Sequence, residues 1–114
     1  RKRLQETMQE KTEIKKRHEF EFVIDDRNIY HYAADFRSPQ AKAQFRNYLQ
    51  LKESYNQQQN KLENMRTQYS RANQNERSKM APAILDLEKR VLQLANEVDR
   101  TAIQVRKLEK QTIK

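Results

Sequence analysis

The chain has 114 residues and a net charge of +8, and 35% of its residues are charged and 35% hydrophobic. It contains no glycine and no cysteine, which excludes disulfides and thiol catalysis and disfavours the glycine-dependent phosphate loops and nucleophile elbows of many enzymes. The low hydrophobic content predicts one domain of long helices with a thin core. No segment approaches the roughly 18 consecutive apolar residues of a membrane span, so we expect a soluble protein whose compartment the sequence leaves open.

Residues 1–18 predict a weakly amphipathic first helix, in which Leu4 and Met8 lie one turn apart. The segment is strongly basic, because residues 1–17 carry seven basic and three acidic side chains. Several cations on one face are what non-specific nucleic-acid binding requires. The candidate anion-binding residues are Arg1, Lys2, Arg3, Lys15, Lys16 and Arg17.

Residues 19–34 predict a short β-hairpin. Large apolar side chains alternate over 20–24, the turn-forming segment 25–28 follows, and 29–32 is a second β-prone run. A lone two-stranded hairpin is marginal in water, so this one should lie on the bundle or gain strands from another chain. Its aromatic residues are the candidate partner-facing surface: Phe20, Phe22, Tyr30 and Tyr32.

Residues 39–78 predict a second, long helix. Ser38 and Pro39 form a helix start, since serine caps the first turn and proline fits its first position. An apolar stripe with a seven-residue repeat follows: Tyr48, Tyr55, Leu62 and Tyr69. The stripe positions between these residues are polar, which disfavours a tight dimeric coiled coil along this face.

Residues 82–113 predict the third helix, with Pro82 in its first turn. Its apolar residues follow a heptad repeat: Ile84, Leu87, Val91, Leu94, Val98, Val105 and Leu108. Further apolar residues lie outside this repeat: Leu85, Leu92, Ala95, Ala102 and Ile103. They widen the apolar face, so we expect the helix to pack against more than one neighbour.

The expected fold class is mainly α: an elongated antiparallel helical hairpin or three-helix coiled-coil-like bundle over residues 1–114, with the β-hairpin at one end. A reversal near residues 77–81 would bring the apolar repeats of the two long helices together as one packing seam, and a single helix kinked at Pro82 is the alternative. The order helix, β-hairpin, helix loosely resembles that of prefoldin-type coiled-coil chaperones, although no residue motif is shared and the third helix departs from it.

Metal and acid–base sites are disfavoured. The position four residues after His18 is Phe22, so the zinc-binding helix motif is incomplete. Asp25 and Asp26 lack the glycine and the distal glutamate of an EF-hand loop, and turn chemistry explains them better. We therefore predict no metal ligand, no cofactor and no catalytic residue.

The long apolar stripes and the lack of a recognisable site predict a non-enzymatic protein–protein interaction or scaffold module, with a homodimer as the expected assembly. The basic segments leave a nucleic-acid-binding helical protein as the alternative. A holdase-type chaperone is the second alternative.

Overall fold

A computed structural model describes residues 20–113 of the chain, and within them the protein is mainly helical. Strands β1 (Phe22–Val23) and β2 (Ile29–Tyr30) are followed by a 3-10 turn at Ala33–Asp35. Two long helices complete the described part, α1 at Pro39–Arg71 and α2 at Gln74–Ile113. The helix predicted at 1–18, and with it the third member of a bundle, lies outside the described residues.

The predicted β-hairpin is present, with shorter strands than expected. β1 and β2 pair antiparallel, with Phe22 opposite Tyr30. The turn between them is held by Asp25, whose Oδ1 accepts hydrogen bonds from the backbone N–H groups of Arg27 and Asn28, both at 2.9 Å. No residue among 20–113 has a positive φ, so this side-chain bonding closes the turn without the glycine that tight hairpins usually need.

The start of α1 is the one that the sequence predicts. Ser38 Oγ accepts a hydrogen bond from the Ala41 N–H at 3.2 Å, and Pro39 is the first helical residue. Proline tolerates this position because the N–H that it lacks would have no partner there.

The reversal between the long helices lies at Ala72–Asn73, and our expectation of a break near 77–81 was wrong. Asn73 Oδ1 accepts a hydrogen bond from the Glu76 N–H at 2.9 Å, which is an N-cap bond at the start of α2. The Arg77 guanidinium donates to the carbonyl oxygens of Tyr69 and Ser70 at 2.9 and 3.0 Å, so it satisfies two acceptors at the end of α1. The Arg77 side chain therefore satisfies carbonyl groups at the end of α1 without the glycine that many helix C-caps use.

Pro82 lies inside α2 and not in its first turn, which corrects the predicted start of this helix. Proline at this position cannot donate the hydrogen bond that the Ser78 carbonyl would otherwise accept. Pro82 and Ser78 are both exposed, so water can reach the freed carbonyl. The helix continues through the proline between the N-cap at Asn73 and the apolar contacts that begin at Met80.

The chain forms two compact units. The first contains residues 20–43 and 105–113 of the described part, and its buried side chains include Phe22, Ile24, Tyr30, Phe36, Ala41 and Val105. The second is Gln44–Gln104, where α1 and α2 pack against each other in antiparallel directions around Leu62, Ile84, Leu87 and Val91. No helix among residues 20–113 has both the length and the apolar character needed to cross a membrane.

Candidate interaction surface

The residues of the predicted packing seam differ in exposure. Five are buried: Leu62, Ile84, Leu87, Val91 and Val105. Five are half-buried: Tyr48, Tyr55, Leu94, Val98 and Leu108. Tyr69 is exposed, because it lies in the last turn of α1 beside the reversal. The guanidinium carbon of Arg77 lies 5.3 Å from the centroid of its ring.

Two of the four predicted partner-facing aromatic residues are turned inward. Phe22 is 3% exposed and Tyr30 is 8% exposed, so neither ring forms part of a partner-facing surface. Both rings contact Phe36, with centroid distances of 6.2 and 5.0 Å. Phe20 and Tyr32 are half-buried. The physical reason is the pleat: paired residues of the two strands share one face, and here that face covers the core of the first unit.

Arg106 of α2 contacts strand β1 of the hairpin. Its guanidinium carbon lies 4.7 Å from the centroid of the Phe22 ring, and its Nε donates a 2.8 Å hydrogen bond to the carbonyl oxygen of Val23. The hairpin is therefore docked on the last turns of α2 through both a side-chain and a backbone contact, which a two-stranded sheet needs in order to persist.

The first unit contains a buried carboxylate that the sequence analysis missed. Glu109 has no exposed surface, and its carboxylate accepts hydrogen bonds from the Tyr30 hydroxyl at 2.5 Å, the Arg37 N–H at 3.1 Å and the Ser38 N–H at 3.0 Å. A buried charge is tolerated only with such partners, and the adjacent N-terminus of α1 favours a negative charge. The sequence contained a signal for this site. Glu109 lies four residues after Val105, a residue of the predicted packing seam, and it places an acid near a helix C-terminus, where a negative charge is unfavourable.

Tyr30 carries the clearest electrostatic consequence of this arrangement. Burial of its ring, together with the hydrogen bond and the negative charge of Glu109, raises the pKa of the Tyr30 hydroxyl from 10.0 to about 12. The group is therefore a hydrogen-bond donor throughout the physiological range. Its role is structural, because the hydroxyl and the carboxylate are both enclosed within the first unit.

The second unit exposes a line of apolar side chains on α2. Leu85, Leu92 and Ile103 are 57%, 63% and 63% exposed. At about 100° per residue they project within about 20° of one another around the helix axis. With the exposed residues that complete their spacing of four and three, they form a continuous row, which we call the outer stripe: Leu85, Lys89, Leu92, Asn96, Asp99 and Ile103.

Two shallow apolar depressions lie beside the outer stripe, between α1 and α2. One has a volume of about 330 Å³ and includes Tyr69 and Leu85 in its lining. The next has a volume of about 380 Å³ and includes Leu92. Both are also lined by Arg66 and Glu88, whose ion pair, at 3.0 Å, crosses from one helix to the other. The depressions widen the apolar surface around the stripe without forming an enclosed cavity.

The carboxylates that could suggest a cation site are used by local structure. Asp25 closes the hairpin turn, and Asp35 Oδ2 accepts hydrogen bonds from the N–H groups of His31 and Tyr32 at 2.9 and 3.0 Å. Within residues 20–113 no three metal-ligating side chains come together. The candidate anion-binding residues at 1–17 lie outside the part of the chain that the structure describes.

Comparisons with protein-family models, curated proteins and solved structures give no match for this chain. Among the large apolar side chains of the second unit, Leu85, Leu92 and Ile103 are the most exposed, whereas the cluster between α1 and α2 is buried.

Proposed function

We propose that the protein is a non-enzymatic interaction or scaffold module that binds a helix of another protein chain along the outer stripe. The observation that carries this proposal is the alignment of Leu85, Leu92 and Ile103, each more than half exposed, on a helix whose other face is already packed. A helix with two apolar faces is stable in water when a neighbour covers each of them. Full burial of one such side chain contributes about 2 kcal/mol.

The form of the stripe favours a helix as its partner. Leu85 and Ile103 are separated by about 27 Å at 1.5 Å per residue, which is a long, narrow contact and not a pocket for a small molecule. Its positions alternate spacings of four and three, the pattern by which one helix receives the side chains of another. The depressions beside Leu85 and Leu92 offer room for the side chains of such a partner.

Site-specific photo-cross-linking tests the proposal. A photoreactive amino acid at position 92, in the cells that produce the protein, is expected to yield a cross-link to a protein chain. The same amino acid at Gln104, which is exposed about 100° away from Ile103 around the helix, serves as the matched control and should yield little. Absence of any protein cross-link at position 92, with the fold intact, would contradict the proposed function.

A second variant separates binding from folding. Leu85→Glu places a charge on the outer stripe and should abolish the cross-link at position 92, while the midpoint of thermal unfolding stays within a few degrees because the side chain is exposed. Gln104→Glu adds the same charge off the stripe and should leave the cross-link unchanged.

The two alternative functions stay predictions. Nucleic-acid binding depends mainly on the basic residues at 1–17, and it predicts an affinity that falls steeply with salt. A cross-link from position 92 to nucleic acid would favour it over a protein partner. A holdase role would instead appear as cross-links to many unrelated unfolded chains.

A further inference from the structure

The outer stripe carries a charge pattern that distinguishes between possible orientations of a partner helix. Its apolar ends, Leu85 and Ile103, enclose Lys89 near the first end and Asp99 near the second. Lys89 lies four residues after Leu85, and Asp99 lies four residues before Ile103. The spacing of the six positions is therefore the same when the stripe is read in either direction. Its two charged positions exchange places on reversal, and their charges are opposite in sign.

The two charges are complementary to those of a second copy of the stripe only when the two helices run antiparallel. In an antiparallel arrangement with Leu85 opposite Ile103, Lys89 of each copy lies opposite Asp99 of the other, and Leu92 lies opposite Asn96. In a parallel arrangement Lys89 would face Lys89 and Asp99 would face Asp99. Like charges across an interface oppose association and opposite charges favour it.

One flank of the stripe repeats the same preference. Asp86, Gln93 and Arg100 recur every seven residues beside the stripe, and all three are exposed. When two copies run antiparallel, Asp86 approaches Arg100 of the second copy and Gln93 approaches its own equivalent. Charged residues at these flanking positions govern partner choice and orientation in coiled coils.

We propose that the partner of the outer stripe is a second copy of this chain, with the two α2 helices antiparallel and Leu85 of one copy opposite Ile103 of the other. This inference rests on the proposed function and names its partner. The contact involves few residues from each chain, which is smaller than the interface of a typical stable complex, so we expect a dissociation constant in the micromolar range.

Charge reversal tests the antiparallel register. Sedimentation velocity of the full chain between about 10 and 200 µM should show a monomer–dimer equilibrium. Lys89→Asp and Asp99→Lys should each weaken the dimer about tenfold, since either one places like charges together at two symmetric positions. The double variant Lys89→Asp with Asp99→Lys restores both opposite-charge contacts and should return the dissociation constant to within about threefold of the original.

The control for net charge is Lys61→Asp, which makes the same change of charge at an exposed position of α1 and should leave the dimer intact. Circular dichroism of each variant shows whether the helices are retained, and the substituted positions are all exposed.

Disulfide trapping tests the direction independently, because the natural sequence has no cysteine. A mixture of the single variants Leu85→Cys and Ile103→Cys, oxidised with glutathione disulfide, should give the mixed covalent dimer in preference to either homodimer. A parallel dimer would instead link Leu85→Cys to itself, since the two copies of that position would then adjoin.

The results separate this inference from the proposed function. A chain that stays monomeric at about 0.2 mM, or a dimer indifferent to both charge reversals, overturns the second-copy proposal. If position 92 then cross-links to a different protein, the proposed function stands with another partner. A cross-link from position 92 to residues 1–19 of the same chain overturns both proposals.

Discussion

The hydroxyl of Tyr30 donates a 2.5 Å hydrogen bond to Oε2 of Glu109, which lies 79 positions later in the chain. The same carboxylate accepts hydrogen bonds from the backbone N–H groups of Arg37 and Ser38, just before α1. Strand β2, the start of α1 and the last turns of α2 therefore meet at one buried anion. This contact ties the hairpin to the two helix segments of the first unit, whereas the proposed binding surface belongs to the second unit.

Replacing Glu109 should destabilise the protein more than replacing any other acid in α2. Glu109→Leu leaves two buried donors and one partly buried donor without an acceptor, and we expect the free energy of unfolding to fall by about 3 kcal/mol in urea denaturation. Glu97→Leu, at an exposed position of the same helix, is the matched control and should change it by less than about 0.5 kcal/mol. Equal effects of the two substitutions would mean that the carboxylate of Glu109 is not enclosed in solution.

Tyr30 should ionise late in an alkaline titration. Its pKa is raised to about 12 from the ordinary 10.0, so the folded protein binds this proton more tightly than the unfolded chain. The stabilisation is complete below pH 10.0 and is lost as the pH rises from 10.0 towards about 12. Ultraviolet detection of phenolate should show a late component that Tyr30→Phe removes. A difference between the two proteins centred near pH 10 while the helices persist would contradict this expectation.

Two leucines of the second unit, one buried and one exposed, should differ sharply when shortened. Leu62→Ala removes a side chain that is 2% exposed in the cluster between the helices, and it should lower the free energy of unfolding by about 3 kcal/mol. Leu92→Ala makes the same chemical change on the outer stripe, where the side chain is 63% exposed, and should cost less than about 0.5 kcal/mol at low protein concentration. The affinity of the proposed dimer, in contrast, should fall with Leu92→Ala and not with Leu62→Ala.

Pro82→Ala should stabilise the protein. In the interior of α2 the proline removes a hydrogen bond and crowds the preceding turn, so alanine should raise the free energy of unfolding by about 1 to 3 kcal/mol. The measurement also tests where α2 begins. If the helix began at Pro82, the residue would occupy its preferred first-turn position and the substitution would be neutral or destabilising.

Local chemistry made part of this fold predictable. The Ser38–Pro39 start of α1 follows from the capping chemistry of two adjacent residues, and the turn at Asp25 follows from a side chain bonding to its own backbone neighbours. The extra apolar residues Leu85, Leu92 and Ile103 already indicated a second neighbour for α2. Heptad spacing likewise identified four residues of the buried cluster between α1 and α2: Leu62, Ile84, Leu87 and Val91.

The rest depended on combinations of contacts that no single sequence pattern reveals. The N-cap of α2 is Asn73. Its hydrogen bond to the first turn is accompanied by the hydrogen bonds that the Arg77 guanidinium donates to the carbonyl oxygens of Tyr69 and Ser70. The burial of Phe22 and Tyr30 depended on which face of the hairpin lies toward the other segments of the first unit.

The amino-acid sequence by itself therefore determined the helical class, the hairpin and the wide apolar face of α2, because periodicity and capping act over a few residues. Only the tertiary structure decided which part of that face was covered, since burial depends on what lies opposite. It also decided the role of Glu109, whose partners come from segments more than 70 positions away in the chain.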